Sequence, residues 1–156
     1  MSKINSTLLF LILGFIMPLQ AQLITADPTF PKDNEAVTIT FFANEGNGGL
    51  AGYTGDVYVH SGVITNNSGS GSDWKYVISE WGENIPKAKL THIATDTYTL
   101  SITPDIRSFY GVPAAETIEK MAFVFRSASP VNGGYLEGKT AENGDIFYDV
   151  YAMAFS

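Results

Sequence analysis

Apolar and polar residues alternate in several short segments of the chain, as they do in β-strands that bury one face. In segment 98–102 the apolar residues Tyr98, Leu100 and Ile102 share one face, and polar residues share the other. Turn-forming residues separate these segments, and no helical period is sustained. The predicted strands are 37–41, 57–60, 74–81, 88–93, 98–102, 119–126 and 145–155. This pattern predicts an all-β fold, an immunoglobulin-like antiparallel β-sandwich of about seven to eight strands.

Segment 119–126 is apolar on both of its faces. Met121, Phe123 and Phe125 alternate with Ala122 and Val124, so neither face carries a polar residue in the middle of the segment. A strand of this kind is covered on both sides in a folded protein. We therefore expect it to be central in its sheet.

The first residues have the features of a secretory signal peptide. Lys3 precedes the apolar run 8–17, and Ala21 is a small residue suited to the position before a cleavage site. The run is too short for a comfortable membrane span, and no Cys follows it to carry a lipid. We expect a signal peptide at residues 1–21, a single domain at residues 22–156, and a secreted, cell-surface or periplasmic protein without a membrane span.

Composition excludes several classes of function. The net charge is −7 and no basic cluster is present, so nucleic acid is not an expected partner. The chain has no Cys, which excludes disulfides and thiolate chemistry. Stability must come from an apolar core, and a sequence that is 45% hydrophobic and 13% aromatic can supply one.

Candidate chemistry is concentrated in the stretch 56–81, which contains both tryptophans and one of the two histidines. If Val57 and Val59 face the core, alternation turns the intervening Tyr58 and the following His60 outward. Aromatic rings beside a polar loop suit a sugar, because the ring faces stack on its C–H surface while polar groups bind its hydroxyls. The alternative is that Trp74 and Trp81 are core residues.

Catalytic and cofactor signatures are absent from the sequence. There is no nucleophile elbow, no HExxH and no phosphate-binding loop that leads into a helix. Asp56, Glu80 and Asp145 are the candidates for a pair of glycosidase carboxylates assembled in space. The Gly-rich loop 43–53 lacks the carboxylates of a dedicated calcium site. We expect no enzymatic activity, no cofactor and no metal.

Several motifs together resemble a known family of carbohydrate-binding domains. They are VYVHSGVI at 57–64, DWKYV at 73–77, EW at 80–81, DTYTLSI at 96–102, IEKMAFVFRSA at 118–128 and ENGDIFYDV at 142–150. The chain resembles the starch-binding modules of carbohydrate-binding module families twenty-five and twenty-six. It is most similar to the N-terminal domains of secreted Bacteroidetes α-amylase-like proteins. The resemblance implies a β-sandwich that binds α-glucan or maltooligosaccharide and accompanies a catalytic glycoside hydrolase domain.

In that family, aromatic residues and a histidine form a surface cradle for the glucan. The resemblance places His60, Trp74 and Trp81 in this cradle. The family's second Trp often lies in a late loop, whereas the late loop of this chain, residues 127–144, contains none. We expect Tyr58, which shares a strand face with His60, to extend the cradle. The residues expected to donate hydrogen bonds to glucose hydroxyls are Lys75, Asn132 and Asn143.

Three functions remain open from the sequence. The first is a starch-binding module, and the second is a structural immunoglobulin-like spacer with its aromatic residues buried. A stand-alone hydrolase is the third, and it requires two carboxylates flanking a cleft. Exposure of Trp74, Trp81 and His60 on one face favours binding, whereas burial of both tryptophans favours the spacer.

Export of the full chain should remove the first 21 residues. The basic residue, short apolar run and small residue at position 21 are the features that signal peptidase recognises. Mass spectrometry of the exported protein should show a chain that begins near Gln22. Exported protein that retains Met1 would contradict this expectation.

Overall fold

Two four-stranded antiparallel sheets form the protein in a computed structural model, which describes residues 21–152 together with residues 3, 11, 12 and 14. The strands are β1 (Ile24–Asp27), β2 (Val37–Phe42), β3 (Val57–Thr65), β4 (Thr91–Ala94), β5 (Thr97–Ile102), β6 (Ile118–Ser127), β7 (Glu137–Gly138) and β8 (Ile146–Asp149). A short α-helix, α1 (Ile106–Tyr110), and a 3₁₀ helix (Pro86–Ala88) complete the regular structure of the described residues. The predicted all-β sandwich is confirmed.

The first sheet has the strand order β1-β2-β5-β4. In the second sheet β3 pairs along β6, and the short strands β7 and β8 both pair with the opposite edge of β6. Strand β6 is therefore central, as its apolar sequence predicted. Residues on either side of the connection from β7 to β8 thereby reach the sheet that carries His60.

The core lies between the inner faces of the two sheets. Phe41 of the first sheet stacks on Phe125 of the second, with ring centroids 4.0 Å apart and an interplanar angle of 14°. Gly138 makes room for this stack, since a Cβ at that position would lie 2.5 Å from the Phe41 ring. Ring stacking between the sheets fixes how they face each other.

The sequence predicted some strands accurately and others poorly. The segments 37–41, 98–102 and 119–126 match β2, β5 and β6 to within one residue at each end. Segment 74–81 is not a strand: Lys75 forms an isolated bridge with Val63, and Tyr76 has a φ of 51°, which interrupts an extended backbone. The very short β7 and the strand β1 were not predicted from the sequence.

Two sequence predictions concern the ends of the chain. The predicted signal peptide lies almost entirely outside the described residues, as do residues 153–156 of the predicted last strand. In the described part, β8 ends at Asp149 and Tyr151 forms only an isolated bridge with Lys32. None of the described helices has the length and apolar character needed to cross a membrane.

Replacing Phe123 by Ala should lower the free energy of unfolding by ~3–5 kcal/mol, the usual cost of removing a buried phenyl ring. Phe123 is fully buried in β6 and its ring centroid lies 5.9 Å from that of Phe125. Urea unfolding measures the effect. The matched control is Phe30→Ala, because Phe30 is 66% exposed. Equal unfolding midpoints for the two variants would show that β6 does not contribute in this way.

Candidate functional site

The outer face of the second sheet carries the candidate site. Val57 and Val59 of β3 are buried in the core, so Tyr58 and His60 point to the opposite face, as predicted. On the neighbouring strand β6, Arg126 lies opposite Tyr58, and Val124 lies opposite His60. Val124 and Arg126 are almost fully buried, so other parts of the chain cover this face.

The covering segment is the connection between β3 and β4. The backbones of Lys75 and Val63 exchange two hydrogen bonds of 2.8 and 2.9 Å, which hold the segment against the edge of β3. A Cβ at Gly62 would lie 3.0 Å from the carbonyl oxygen of Lys75 and from a methyl group of Val77. Glycine at position 62 therefore permits the close approach that brings Trp74 onto the sheet.

A buried carboxylate anchors the same segment. Glu116 accepts hydrogen bonds of 2.8 Å from the Thr65 hydroxyl and from the Asn67 amide, and a further one from the Tyr76 hydroxyl. The bond from Tyr76 is the main cause that lowers the pKa of Glu116. The carboxylate therefore stays ionised and holds the two ends of the 65–76 loop together.

Five rings contact one another in a row, which we call the aromatic strip: Phe147, Trp74, His60, Trp81 and Tyr135. His60 lies between the tryptophans, 5.8 Å from Trp74 at 28° and 5.3 Å from Trp81 at 79°. Phe147 meets Trp74 edge-on at 6.5 Å, and Tyr135 meets Trp81 edge-on at 5.7 Å. The row places flat faces at different angles along one surface.

The strip is partly open to solvent. Trp81 is 43% exposed and Phe147 is 39% exposed, while Trp74 and His60 are half-buried. Neither tryptophan belongs to the core between the sheets. The rings are thus held by neighbours on one side and accessible on the other.

A shallow groove of about 510 Å³ runs over the middle of the strip. Its lining residues are His60, Ser72, Asp73, Trp74, Val77, Trp81, Val124, Glu137, Lys139 and Asp145. Three carboxylates and one ammonium group therefore stand beside the rings. The Asp73 carboxylate forms an ion pair with Lys75 at 3.1 Å. The Glu137 carboxylate forms one with Lys139 at 3.2 Å.

A larger open concavity, about 610 Å³, lies on the outer face of the first sheet. Threonines, Asn44 and Glu45 line most of it, and Phe42 contributes the one ring among its lining residues. Ala21 and Gln22 form part of its wall, at the predicted cleavage position. We place the candidate site at the smaller groove, because that is where rings and polar groups converge.

Arg126 lies beneath the strip and is 1% exposed. Its guanidinium carbon is 5.6 Å from the Tyr58 ring centroid, 5.9 Å from that of Trp81 and 5.2 Å from that of Tyr135. Burial is the main cause that lowers the pKa of Arg126 from its usual value. The three rings surround a cation that has little contact with water.

His60 is neutral at pH 7 in this environment. Burial, together with the nearby Arg126 cation, lowers the pKa of His60 below its ordinary value of 6.5. Glu80 and Asp145 act in the opposite direction, but more weakly. The Nδ1 atom of His60 is buried and has no hydrogen-bond partner among the described residues.

The structure brings together three of the seven residues predicted for the site: His60, Trp74 and Trp81. Tyr58 lies on the predicted face but outside the groove lining, against Arg126.

Lys75, Asn132 and Asn143 do not line the groove. Lys75 pairs with Asp73, and the Oδ1 atom of Asn143 accepts a hydrogen bond from Asn47. Asn132 is exposed in a turn, with a φ of 51°.

Several residues of the site were missed by the sequence analysis. Phe147, Glu137 and Lys139 arrive through strands β7 and β8 and the residues beside them. Phe147 forms one end of the strip, edge-on to Trp74. The alternation Ile146-Phe147-Tyr148 was a usable signal, because it turns Phe147 to the face opposite the buried Ile146.

One of the three carboxylates that the sequence offered for catalysis reaches the groove. Of Asp56, Glu80 and Asp145, Asp145 is the one that lines the groove, while Asp56 forms an ion pair with Lys89 at 3.0 Å. Within the described residues, no group of three or more His, Asp or Glu side chains could hold a metal ion.

The sequence matches the family described as "Domain of unknown function (DUF8578)" over residues 24–131. This match includes three rings of the aromatic strip, those of His60, Trp74 and Trp81, but excludes Tyr135, Phe147, β7 and β8. No curated protein matches the chain. The family's description assigns neither a ligand nor an activity.

Acidification should reduce the contribution of His60 to stability. Because the pKa of His60 is lowered in the folded state, the unfolded chain binds the proton more readily, and stability falls as pH drops below about 6.5. The difference in unfolding free energy between the wild type and His60→Gln should narrow from about pH 7.5 to about pH 5. Urea unfolding at each pH measures it.

The control is His92→Gln, which alters an exposed histidine on β4. Proton NMR of the wild type gives an independent check, since the His60 imidazole should titrate below 6.5. A His60 midpoint above that value, or a difference that widens on acidification, would contradict the assignment of a neutral imidazole.

Proposed function

Because the chain belongs to this family of unknown function, we propose from the site itself that it is a carbohydrate-binding module for starch-type α-glucan. The domain is non-catalytic and acts as an accessory domain of an exported α-amylase. Its ligand is an α-glucan polysaccharide or maltooligosaccharide. The residues that bind it are those of the aromatic strip and the polar groups of the groove.

The observation that carries the proposal is that both tryptophans lie on one face outside the core, Trp81 exposed and Trp74 half-buried. A spacer domain has no need of an indole that is 43% exposed beside a second, half-buried indole. Exposed aromatic clusters of this kind mark binding surfaces. Pyranose rings present apolar C–H faces, and Trp74 and Trp81 offer matching flat surfaces.

The angles between the rings favour a curved ligand. His60 and Trp74 are close to parallel at 28°, whereas Trp81 is turned by 79° relative to His60. A helical α-glucan presents a curved apolar strip to such a surface. A flat glycan would instead match rings that lie in one plane. The motifs shared with starch-binding modules point to the same class of ligand.

The polar lining suits hydroxyl groups. Asp73, Glu137 and Asp145 carry carboxylates that accept hydrogen bonds, and Lys139 is a donor. Hydrogen bonds to charged groups contribute about 1.5–3 kcal/mol each when they are well formed. These groups orient the sugar, while the rings supply most of its buried apolar contact.

Affinity electrophoresis tests the ligand class. The mature domain is run through native gels that contain amylose, pullulan, xylan or no glycan. Retardation by amylose and pullulan, without retardation by xylan, is the expected result. Equal mobility in all four gels would remove the proposal and favour the spacer, and retardation by xylan alone would assign a different glycan. Release of reducing sugar from starch, abolished by Asp145→Asn, would show that the domain is an enzyme.

Trp74→Ala should weaken maltoheptaose binding about tenfold, because one stacked ring contributes ~1–2 kcal/mol and 1.4 kcal/mol corresponds to a factor of ten. Titration calorimetry measures the affinity, and a melting curve is recorded for each variant. The matched control is Ile93→Ala, which removes a side chain that is 58% exposed on β4. Its affinity should equal that of the wild type.

Two results would contradict the site. One is full binding by both Trp74→Ala and His60→Ala. The other is a collapsed melting temperature in both variants, which would assign these rings to the support of the fold. A loss of affinity at an unchanged melting temperature supports the proposal.

A further inference from the structure

Arg126 is an unusual residue for its position. It lies on a central strand, is 1% exposed, and forms no ion pair within the described part of the chain. Its Nε atom is buried and has no hydrogen-bond partner there. Burying a cation without a carboxylate is costly, and an apolar residue of similar volume is often at least as stable. A role in the fold alone does not account for it.

Arg126 contacts the Tyr58 ring and donates a hydrogen bond of 3.1 Å from Nη1 to the Ser127 carbonyl oxygen. Its other contacts lie around Trp81. Its Nη2 atom donates a hydrogen bond of 2.7 Å to the carbonyl oxygen of Glu83, in the turn that contains Trp81. The same turn is closed by a bond of 3.1 Å from the Glu83 amide to the Glu80 carbonyl. Arg126 thus holds the backbone beside Trp81 through one bond and the Trp81 ring through the guanidinium face.

The opposite side of the turn is held by Tyr135. A Cβ at Gly82 would lie 2.7 Å from the Tyr135 hydroxyl oxygen, so the turn packs directly on that ring. Tyr135 in turn lies 5.2 Å from the guanidinium carbon of Arg126 and 5.7 Å from Trp81. Both supports of the Trp81 ring therefore meet at one cation.

We propose that Arg126 is a positioning residue, which fixes the orientation of the Trp81 and Tyr135 rings so that the groove is formed before a ligand binds. Arg126 itself does not line the groove, so it acts through the rings. Rigid rings lose less conformational freedom on binding, which increases affinity without adding a contact. The effect on binding depends on the proposed glycan function, whereas the effect on ring orientation does not.

Arg126→Met keeps an unbranched apolar side chain and removes the guanidinium group with its charge and donors. Near-UV circular dichroism reports the ordering of aromatic rings, and the contribution of Trp81 is the difference between the wild type and Trp81→Phe. In the Arg126→Met background, at a temperature where the protein is folded, we expect the spectra with and without Trp81→Phe to be the same. A Trp81 contribution of unchanged size would overturn the proposal.

Arg107→Met is the matched control, since Arg107 is the other arginine of the chain. It pairs with Asp33 and donates to the Pro113 and Glu116 carbonyls, so its removal should lower stability. The Trp81 contribution to the spectrum should remain. Loss of the Trp81 contribution in both variants would reduce the role of Arg126 to general stability and overturn the proposal.

A double-mutant cycle tests the route of the effect. If Arg126 acts through the Trp81 and Tyr135 rings, adding Arg126→Met to the Trp81→Ala/Tyr135→Ala protein should weaken maltoheptaose binding by no more than about twofold, within the usual error of additivity. Independent, multiplying losses would overturn the proposal. If the wild type does not bind maltoheptaose, the glycan function fails, and the spectra still decide the role of Arg126.

The wild-type protein provides a measurement that does not depend on a variant folding. With Arg107→Met identifying the second arginine signal, the Arg126 Nε–H proton is assigned directly by NMR. Enclosed by three rings, it should be displaced by ring currents, show contacts to Trp81 ring protons and exchange slowly with water. A signal at the position of a free arginine, with fast exchange, would overturn the proposal even if Arg126→Met failed to fold.

Discussion

The burial of β6 on both faces is the constraint on which the rest of the molecule depends. On the inner face, Phe125 stacks on Phe41 with centroids 4.0 Å apart and joins the two sheets. On the outer face, Val124 and Arg126 are covered by the β3–β4 connection and by rings from the late part of the chain. Most of β6 is buried on both faces, so the chain supplies a second cover on the outer face of this strand. That cover is also the candidate binding surface.

The cover combines two opposing requirements. It must exclude water from the sheet, yet a binding surface must leave ring faces free. The close approach at Gly62 and the hydrogen bonds to Glu116 hold the segment that carries Trp74 against the second sheet. Trp81 stays 43% exposed, because its ring is supported from below by Arg126 instead of being covered from above. A cation under the rings holds them in place without an apolar layer over them. The sheet is therefore covered while the ring faces stay free.

Part of the site was predictable because it depends on local geometry. Alternation along β3 places Val57 and Val59 inside and turns His60 outward, and this holds in the structure. Trp74 and Trp81 lie close to His60 in the sequence, so a short connection can return them to it. The predicted strand at 74–81 was wrong, since the left-handed Tyr76 interrupts the extended backbone. That interruption allows residues of opposite parity to reach one groove.

The sequence by itself determined the fold class, the central position of β6 and the outward face of β3, because alternation and apolar content are properties of each segment alone. Only the tertiary structure decided that Phe147 and Tyr135 complete the strip and that Glu137 lines the groove. These residues reach the site through the pairing of β7 and β8 with one edge of β6. Such pairing depends on contacts between residues distant in sequence, which periodicity does not encode. The buried position of Arg126 follows from the same packing, because its neighbours come from three separate segments.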